Sequence, residues 1–353
     1  MSITKTMLLL TGLFFSAGGA IAQEDTIVKA IILDSTDTAA DKFYNSGVEA
    51  LGAKKIQDAI ISFSEAIKMK EDFEQAYYNR GLSYFSLEKY PEAIADFDKA
   101  ISLREDAETY FKRGESKQEL KDKEGAIADY TKAVELNPMH AKAYYNRAFF
   151  KFTEKDYKGA IEDYTKAIEA KKDFAYAYND RGSAKRQLED FKGAIADYKK
   201  AVMLDNKLAF AHNNLGSAKR KAGDFKGAIL DYSKAISLDD KYFIAYNNRG
   251  SAKYDAEDYK GAIADFTKVI SINKDYAYAY NNRAAAKFKL GDYKGAMEDC
   301  NKAISLDANY SYAYLNRGNA KELLRDDKGA CEDWHKAVEL GAEAAKANIN
   351  ICQ

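Results

Sequence analysis

The stretch AYNNRG fills Ala245–Gly250, and variants of it recur along the chain. AYYNRG stands at 76–81, AYYNRA at 143–148, AYNDRG at 177–182, AHNNLG at 211–216, AYNNRA at 279–284 and AYLNRG at 313–318. From Ala143 onward the copies lie 34 residues apart. A period of this length marks a stacked-repeat protein, in which each repeat buries its apolar face only against its neighbours. With the Gly of the motif set at position 8, units start at Ala40, Glu74, Ala107, Ala141, Ala175, Ala209, Phe243, Ala277 and Ser311. Every interval is 34 residues except the 33 between Glu74 and Ala107, where the missing residue falls between units.

Each unit carries two apolar patterns of helical spacing. The first has Ala at position 3, an aromatic at 4 and Gly or Ala at 8. The second has an aromatic at 17, Ala at 20, an aromatic at 24 and Ala at 27. In the unit from Ala175 these are Ala177, Tyr178, Gly182, Phe191, Ala194, Tyr198 and Ala201. The chain has only 2 prolines in 353 residues, which agrees with helix throughout because proline breaks helices. Asp recurs at position 16 (Asp122, Asp156, Asp190, Asp224, Asp258, Asp292, Asp326). There it can accept from the free N–H groups that open the second helix.

These residues resemble the tetratricopeptide repeat, a 34-residue helix–turn–helix, from residue 40 to about 342. The resemblance implies an all-α fold: a right-handed superhelical solenoid of nine helix–turn–helix units. Two departures stand out. Pro at position 32 appears only as Pro138, and Lys replaces the frequent aromatic at 11 in the last seven units. Such a Lys is expected to lay its stem on the surface and keep its charge in water. Residues 343–353 resemble a C-terminal capping helix, since the register would start a tenth unit at Ala345.

Residues 1–22 read as a secretory signal peptide: Lys5, an apolar run from Met7, and Ala20-Ile21-Ala22 as an A-x-A cleavage pattern. An uncleaved anchor is the alternative, although the run is short for a span. Cleavage would leave a leader or linker over 23–39 and a periplasmic or secreted protein with no integral membrane segment. Cys300, Cys331 and Cys352 read as small buried helix residues. In an exported chain Cys331 and Cys352 are the first pair to test for a disulfide.

Arg holds position 7 in seven units: Arg80, Arg113, Arg147, Arg181, Arg249, Arg283 and Arg317. Asp holds position 23 in eight: Asp96, Asp129, Asp163, Asp197, Asp231, Asp265, Asp299 and Asp333. The first unit lacks both, with Ser46 and Ser62. The pattern predicts Arg–Asp pairs within repeats, with Leu215 opposite Asp231 as the exception.

The resemblance implies that first helices line a concave groove, with positions 2, 5, 6, 9, 12 and 13 facing it. Position 6 is Asn45, Asn79, Asn146, Asn214, Asn248, Asn282 and Asn316, with Lys112 and Asp180 in the other two units. Asn is a poor helix former, and its amide matches the donor and acceptor of a peptide backbone. A ladder of such amides could hold an extended chain; the other reading is that they are simply solvated. Two zones are expected. Toward the N-terminus, Tyr44, Tyr78, Phe111 and Tyr145 at position 5, with Val48, Leu82 and Phe149 at 9 and Leu51, Phe85 and Phe152 at 12, form an apolar surface. Further on, position 5 becomes Asn179, Asn213, Asn247 and Asn281, while position 2 turns apolar with Tyr176, Phe210, Ile244, Tyr278 and Tyr312. Many of these aromatics are expected to pack between neighbouring first helices.

No three successive units supply the lysines and asparagines of the clamp that grips chaperone C-termini in this family. The 3 histidines fall on different units, and no phosphate-loop or metalloprotease motif occurs, so no enzyme and no cofactor is expected. Charge is balanced at 54 Lys plus Arg against 55 Asp plus Glu, which gives no reason to expect nucleic acid. Two functions remain. One is a non-catalytic scaffold or adaptor that binds a partner protein or extended peptide in its groove. The other is a structural component of an envelope assembly acting through its ends or convex surface.

Overall fold

A computed structural model describes residues 38–352; the expected signal peptide and nearly all of the expected leader lie outside them. Among the described residues are eighteen long α-helices, two in each repeat. They run from Ala39–Gly52 to Asp327–Glu339, and the nine starts read from the sequence fall at or next to the first residue of a first helix. The first helix opens at Ala39, one residue before the start read from the sequence. Thr38 caps the first helix, accepting from the Asp41 N–H at 3.2 Å while the Asp41 carboxylate accepts from Thr38.

The described residues fall into two compact units, 38–188 and 189–352. In both, the core is the seam between the two helices of a repeat. The position-24 ring lies at its centre: Phe63, Phe97, Tyr130, Tyr164, Tyr232, Phe266 and Trp334 are all buried. Opposite sits the small residue of position 8. A Cβ added to Gly250 would stand 2.8 Å from the Phe266 ring, so glycine here permits the close approach. Ala148 and Ala284 hold the same register where the facing side chains are Tyr164 and Cys300.

Between the helices the chain reverses through one left-handed residue, always at position 15. Lys54, Glu88, Lys121, Lys155, Glu189, Glu257 and Arg325 all have φ between 58° and 66°, and Gly223 and Gly291 hold the two remaining repeats. The next residue is the Asp expected to cap. Its carboxylate accepts from the N–H of the Gly three residues on, at 2.8–3.0 Å in all seven repeats that carry it.

The C-terminal residues differ from the expected capping helix. They form a 3₁₀ turn, Glu343–Ala345, and a short helix, Lys346–Ile349. These lie against the second helix of repeat 9, with Ala342 and Ala345 buried beside Trp334. Cys331 and Cys352 are joined in a disulfide across 21 residues, so the reading of both as simple buried thiols is corrected, while Cys300 is a buried free thiol. No helix of the described residues is long and apolar enough to cross a membrane.

Candidate functional site

Position 7 is the first to settle. Six Arg–Asp pairs lie wholly within one compact unit, and all six form. In AYNNRG, Arg249 Nε and Nη2 donate to the Asp265 carboxylate at 2.9 and 2.7 Å. The third nitrogen reaches the preceding repeat, where Nη1 donates to Ser233 Oγ at 3.0 Å. The guanidinium also lies 5.4 Å from the centre of the Tyr246 ring at position 4. The same set recurs around Arg80, Arg147 and Arg317. Repeat 1 has Ser46 at this position and Ser62 in place of the aspartate, so neither partner of the pair is present there. Partnership with Asp265 holds the Arg249 guanidinium more firmly protonated than usual.

The lysine at position 11 behaves otherwise than expected. It does not sit in water but shares the same aspartate. Lys253 Nζ is 2.8 Å from Asp265, and Lys117, Lys151, Lys287 and Lys321 repeat the contact at 2.8–2.9 Å. It lies four residues after the arginine on the same helix face, a register visible in sequence. It also explains repeat 6. With Leu215 in place of arginine, Asp231 keeps Lys219 at 2.6 Å. Asp96 and Asp231 pair with arginine alone and lysine alone, and burial pushes both carboxyls above their usual range.

The asparagines require the main correction. They are not solvated, and their amides are already engaged. Asn247 is 4% exposed and Asn248 1%. Position 6 of one repeat donates to position 5 of the repeat before, 35 residues back. Asn248 Nδ2 donates to Asn213 Oδ1 at 3.0 Å, Asn282 to Asn247 at 3.1 Å, and Asn316 to Asn281 at 2.8 Å. Asn281 in turn donates to the Tyr310 hydroxyl at 3.1 Å. In the first unit Asn79 donates to the Tyr44 hydroxyl at 3.0 Å, and the Tyr145 hydroxyl donates to Asp180 at 2.6 Å. Neighbouring first helices stack closely enough for positions 5 and 6 to face each other. Each rung then satisfies polar groups that burial would otherwise penalise. Asn146 departs from the pattern, since Phe111 offers no acceptor, and donates to the Tyr130 hydroxyl at 3.2 Å. Asn214 is buried as well.

The expected apolar zone is also largely interior. Tyr44, Val48, Leu82, Phe111, Tyr145 and Phe152 are buried, and Tyr44 packs on Phe63 and Phe73 with ring centres 5.7 and 5.0 Å apart. Seven aromatics of the expected face keep part of their surface: Tyr78, Phe85, Phe149, Tyr176, Phe210, Tyr278 and Tyr312 are half-buried. Tyr278 belongs to a run of rings, 5.4 Å from Tyr276 and 4.9 Å from Tyr310. Sequence reasoning missed Tyr276 and Tyr310, which sit just before the helix starts that set the register. Among the described residues no His, Cys, Asp and Glu side chains cluster in a way that could hold a metal ion.

Tetratricopeptide repeat models match residues 74–106 and 277–310 and residues 107–140 and 141–174, and a TPR repeat model matches 182–219, 216–256 and 250–291. No curated protein matches the chain. A tetratricopeptide repeat protein from Parabacteroides merdae is 19% identical, covering 69% of this chain and 97% of its own at a TM-score of 0.55. The C-terminal part of a TPR repeat-containing protein from Cytophaga hutchinsonii is 17% identical, covering 67% and 97% at 0.55. Both share the fold. MamA is 30% identical over 47% of this chain and 96% of its own, at 0.43. With a repeat period, a helix pair per repeat and family matches over more than half its length, the chain belongs to the tetratricopeptide repeat family.

Proposed function

We propose that this chain holds an extended segment of a partner protein along the face of its first helices. At the level of the family it is a protein-interaction scaffold. The observation that carries the finer reading is the half-buried aromatics on the first helices of each unit, Tyr78, Phe149 and Tyr176 in one and Phe210, Tyr278 and Tyr312 in the other. All stand at positions 2, 5 or 9 of first helices. Aromatics with one side packed and one side open supply contact area at small entropic cost. The asparagine rungs act beneath them, fixing the spacing of the helices that carry these rings. The amides therefore shape the face rather than grip the ligand.

The test is a pull-down from cell extract with the wild-type chain and the Tyr278→Ala/Tyr312→Ala variant. Loss of the bound species with an unchanged helical circular dichroism signal supports the reading. Equal capture by both removes it. We also propose that the chain works outside the reducing cytosol. Residues 1–22 and the Cys331–Cys352 disulfide support this, since disulfides persist in oxidising compartments. Free thiols at both positions in protein taken directly from cells would count against it.

A further inference from the structure

The last joint of the array is built unlike those before it. In repeats 7 and 8 the first helix covers the position-24 ring of the repeat before: Ala252 packs with Tyr232 and Ala286 with Phe266. Those helices are 13 residues long, and the arginine at position 7 ties each back to the preceding repeat, Arg249 to Ser233 and Arg283 to Thr267. Trp334, the position-24 ring of repeat 9, is covered instead by the tail, residues 342–352. Ala342 and Ala345 pack beside the ring, which is 1% exposed. The tail carries a helix of four residues, Lys346–Ile349. In the register of a tenth unit the place of the arginine falls to Ile351, which is exposed.

So short a helix does not sustain itself in water, because nucleation outweighs propagation over a few residues. The Lys346–Glu343 ion pair is internal to the tail and adds nothing to the joint. The joint is crossed by the small apolar contact, by an amide bond from Asn348 Nδ2 to Asn319 Oδ1 at 2.9 Å, and by the covalent Cys331–Cys352 bridge. Asn319 Oδ1 also accepts from Trp334 Nε1 at 2.9 Å, so ring and tail share one acceptor. The bridge spans 21 residues of sequence and withholds the freedom that a detached tail would gain. Both cysteines are half-buried, within reach of a small reductant.

We infer that the disulfide is a redox latch on this end of the array. Closed, it holds the tail over Trp334; opened by a dithiol, it lets the tail leave and bares the ring. A thiolate of the dithiol attacks one sulfur, forming a mixed disulfide and releasing the other cysteine, which takes up a proton. The second thiolate of the reductant then attacks the mixed disulfide, closes its own disulfide and releases the remaining cysteine. Two electrons pass from the dithiol to the protein, and the two protons end on Cys331 and Cys352. The latch is separate from the first-helix face and from whatever that face holds.

Trp334 is the single tryptophan of the chain, so its emission reads the latch in the full protein. Dithiothreitol is expected to shift that emission to longer wavelength and to raise its quenching by acrylamide. The helical circular dichroism signal should stay, and oxidised glutathione should reverse both changes. Cys352→Ser should show the opened emission without reductant and no further response to it; the reduced wild-type protein decides alone should that variant fold poorly. Unchanged emission and quenching after reduction would mean that packing holds the tail by itself, and the latch is overturned. An emission already that of an open ring before reduction overturns it too. So does a red shift that comes with loss of helical signal, since the array rather than its tail would then be opening.

Discussion

The first-helix faces of residues 38–188 and 189–352 are built on one plan and finished differently. In the second unit three successive rungs join amide to amide, from Asn213 to Asn316. In the first the rungs join asparagine to tyrosine or tyrosine to aspartate, and at repeat 3 the rung is missing. Exposed charge differs too. Position 13 brings Lys221 and Lys289 to the second unit, while repeat 3 brings Glu108 and Glu119 to the first. Beneath both faces the Arg–Asp–Lys seam recurs, complete around Asp129 and Asp163 in the first unit and Asp265, Asp299 and Asp333 in the second. Thus the helix pair is held by largely repeated chemistry, and most of the variation lies where first helices of successive repeats meet.

The largest expected effect tests whether the seam is common to both units. Asp163→Ala in one and Asp265→Ala in the other each leave an arginine and a lysine without their carboxylate in a mostly buried site. Each should cost about 3–5 kcal/mol in urea unfolding. A large difference between them would break the claim of a shared seam. The rungs come next, and here the units should diverge. Asn247→Ala strands the Asn282 amide and should cost about 1–3 kcal/mol, whereas Lys112→Asn supplies the absent rung to Tyr78 and should gain about 0.5–1.5 kcal/mol. A loss on Lys112→Asn would mean the gap is not a gap.

Smaller again is the left-handed residue of position 15. All four complete repeats of the first unit place a side chain there, while the second has Gly223 and Gly291. Lys121→Gly should gain and Gly291→Ala lose about 1 kcal/mol, read as a shift of the unfolding midpoint. The smallest effect concerns pH. His212 replaces the position-4 tyrosine in repeat 6, and burial holds its imidazole below the usual 6.5. The unfolded chain therefore takes up the proton first. Stability should fall as pH drops through about 6.5 toward the lowered folded value. His212→Tyr should flatten that slope in melting temperature against pH.

The fold could be read in the sequence because its signals are periodic. The register of Gly250 and Phe266, the Asp258 cap and the Arg249–Asp265 pair all repeat at fixed offsets. The roles of Asn247 and Asn248 could not be read in the same way. Positions 5 and 6 are adjacent on a helix, and small changes in how two first helices stack decide whether an amide meets its neighbour or the open groove. That angle is not written in the 34-residue period. The left-handed turn escaped notice for a different reason: Lys121 and Glu189 carry no glycine signal, and tertiary packing imposes their conformation. The Lys253 contact was legible in principle, since it stands one helical turn from Arg249, but an unfamiliar residue at position 11 looked like surface.

Each arginine joins its own repeat to the one before through an oxygen at one fixed register, most often a hydroxyl such as Ser64, Thr131, Ser233 or Thr267, which makes the array tolerant of recombination. Excising residues 243–276 would bring Arg283 to Ser233, the hydroxyl that now accepts from Arg249, and Asn282 to Asn213, the amide that now accepts from Asn248. The new joint would keep both bonds, and would differ in bringing Lys289 to the place of Asp255, which now pairs with Arg220 at 2.6 Å. Unequal exchange between repeats could therefore lengthen or shorten this protein one module at a time with only local changes at the joint, and the length of its first-helix face would change in whole steps.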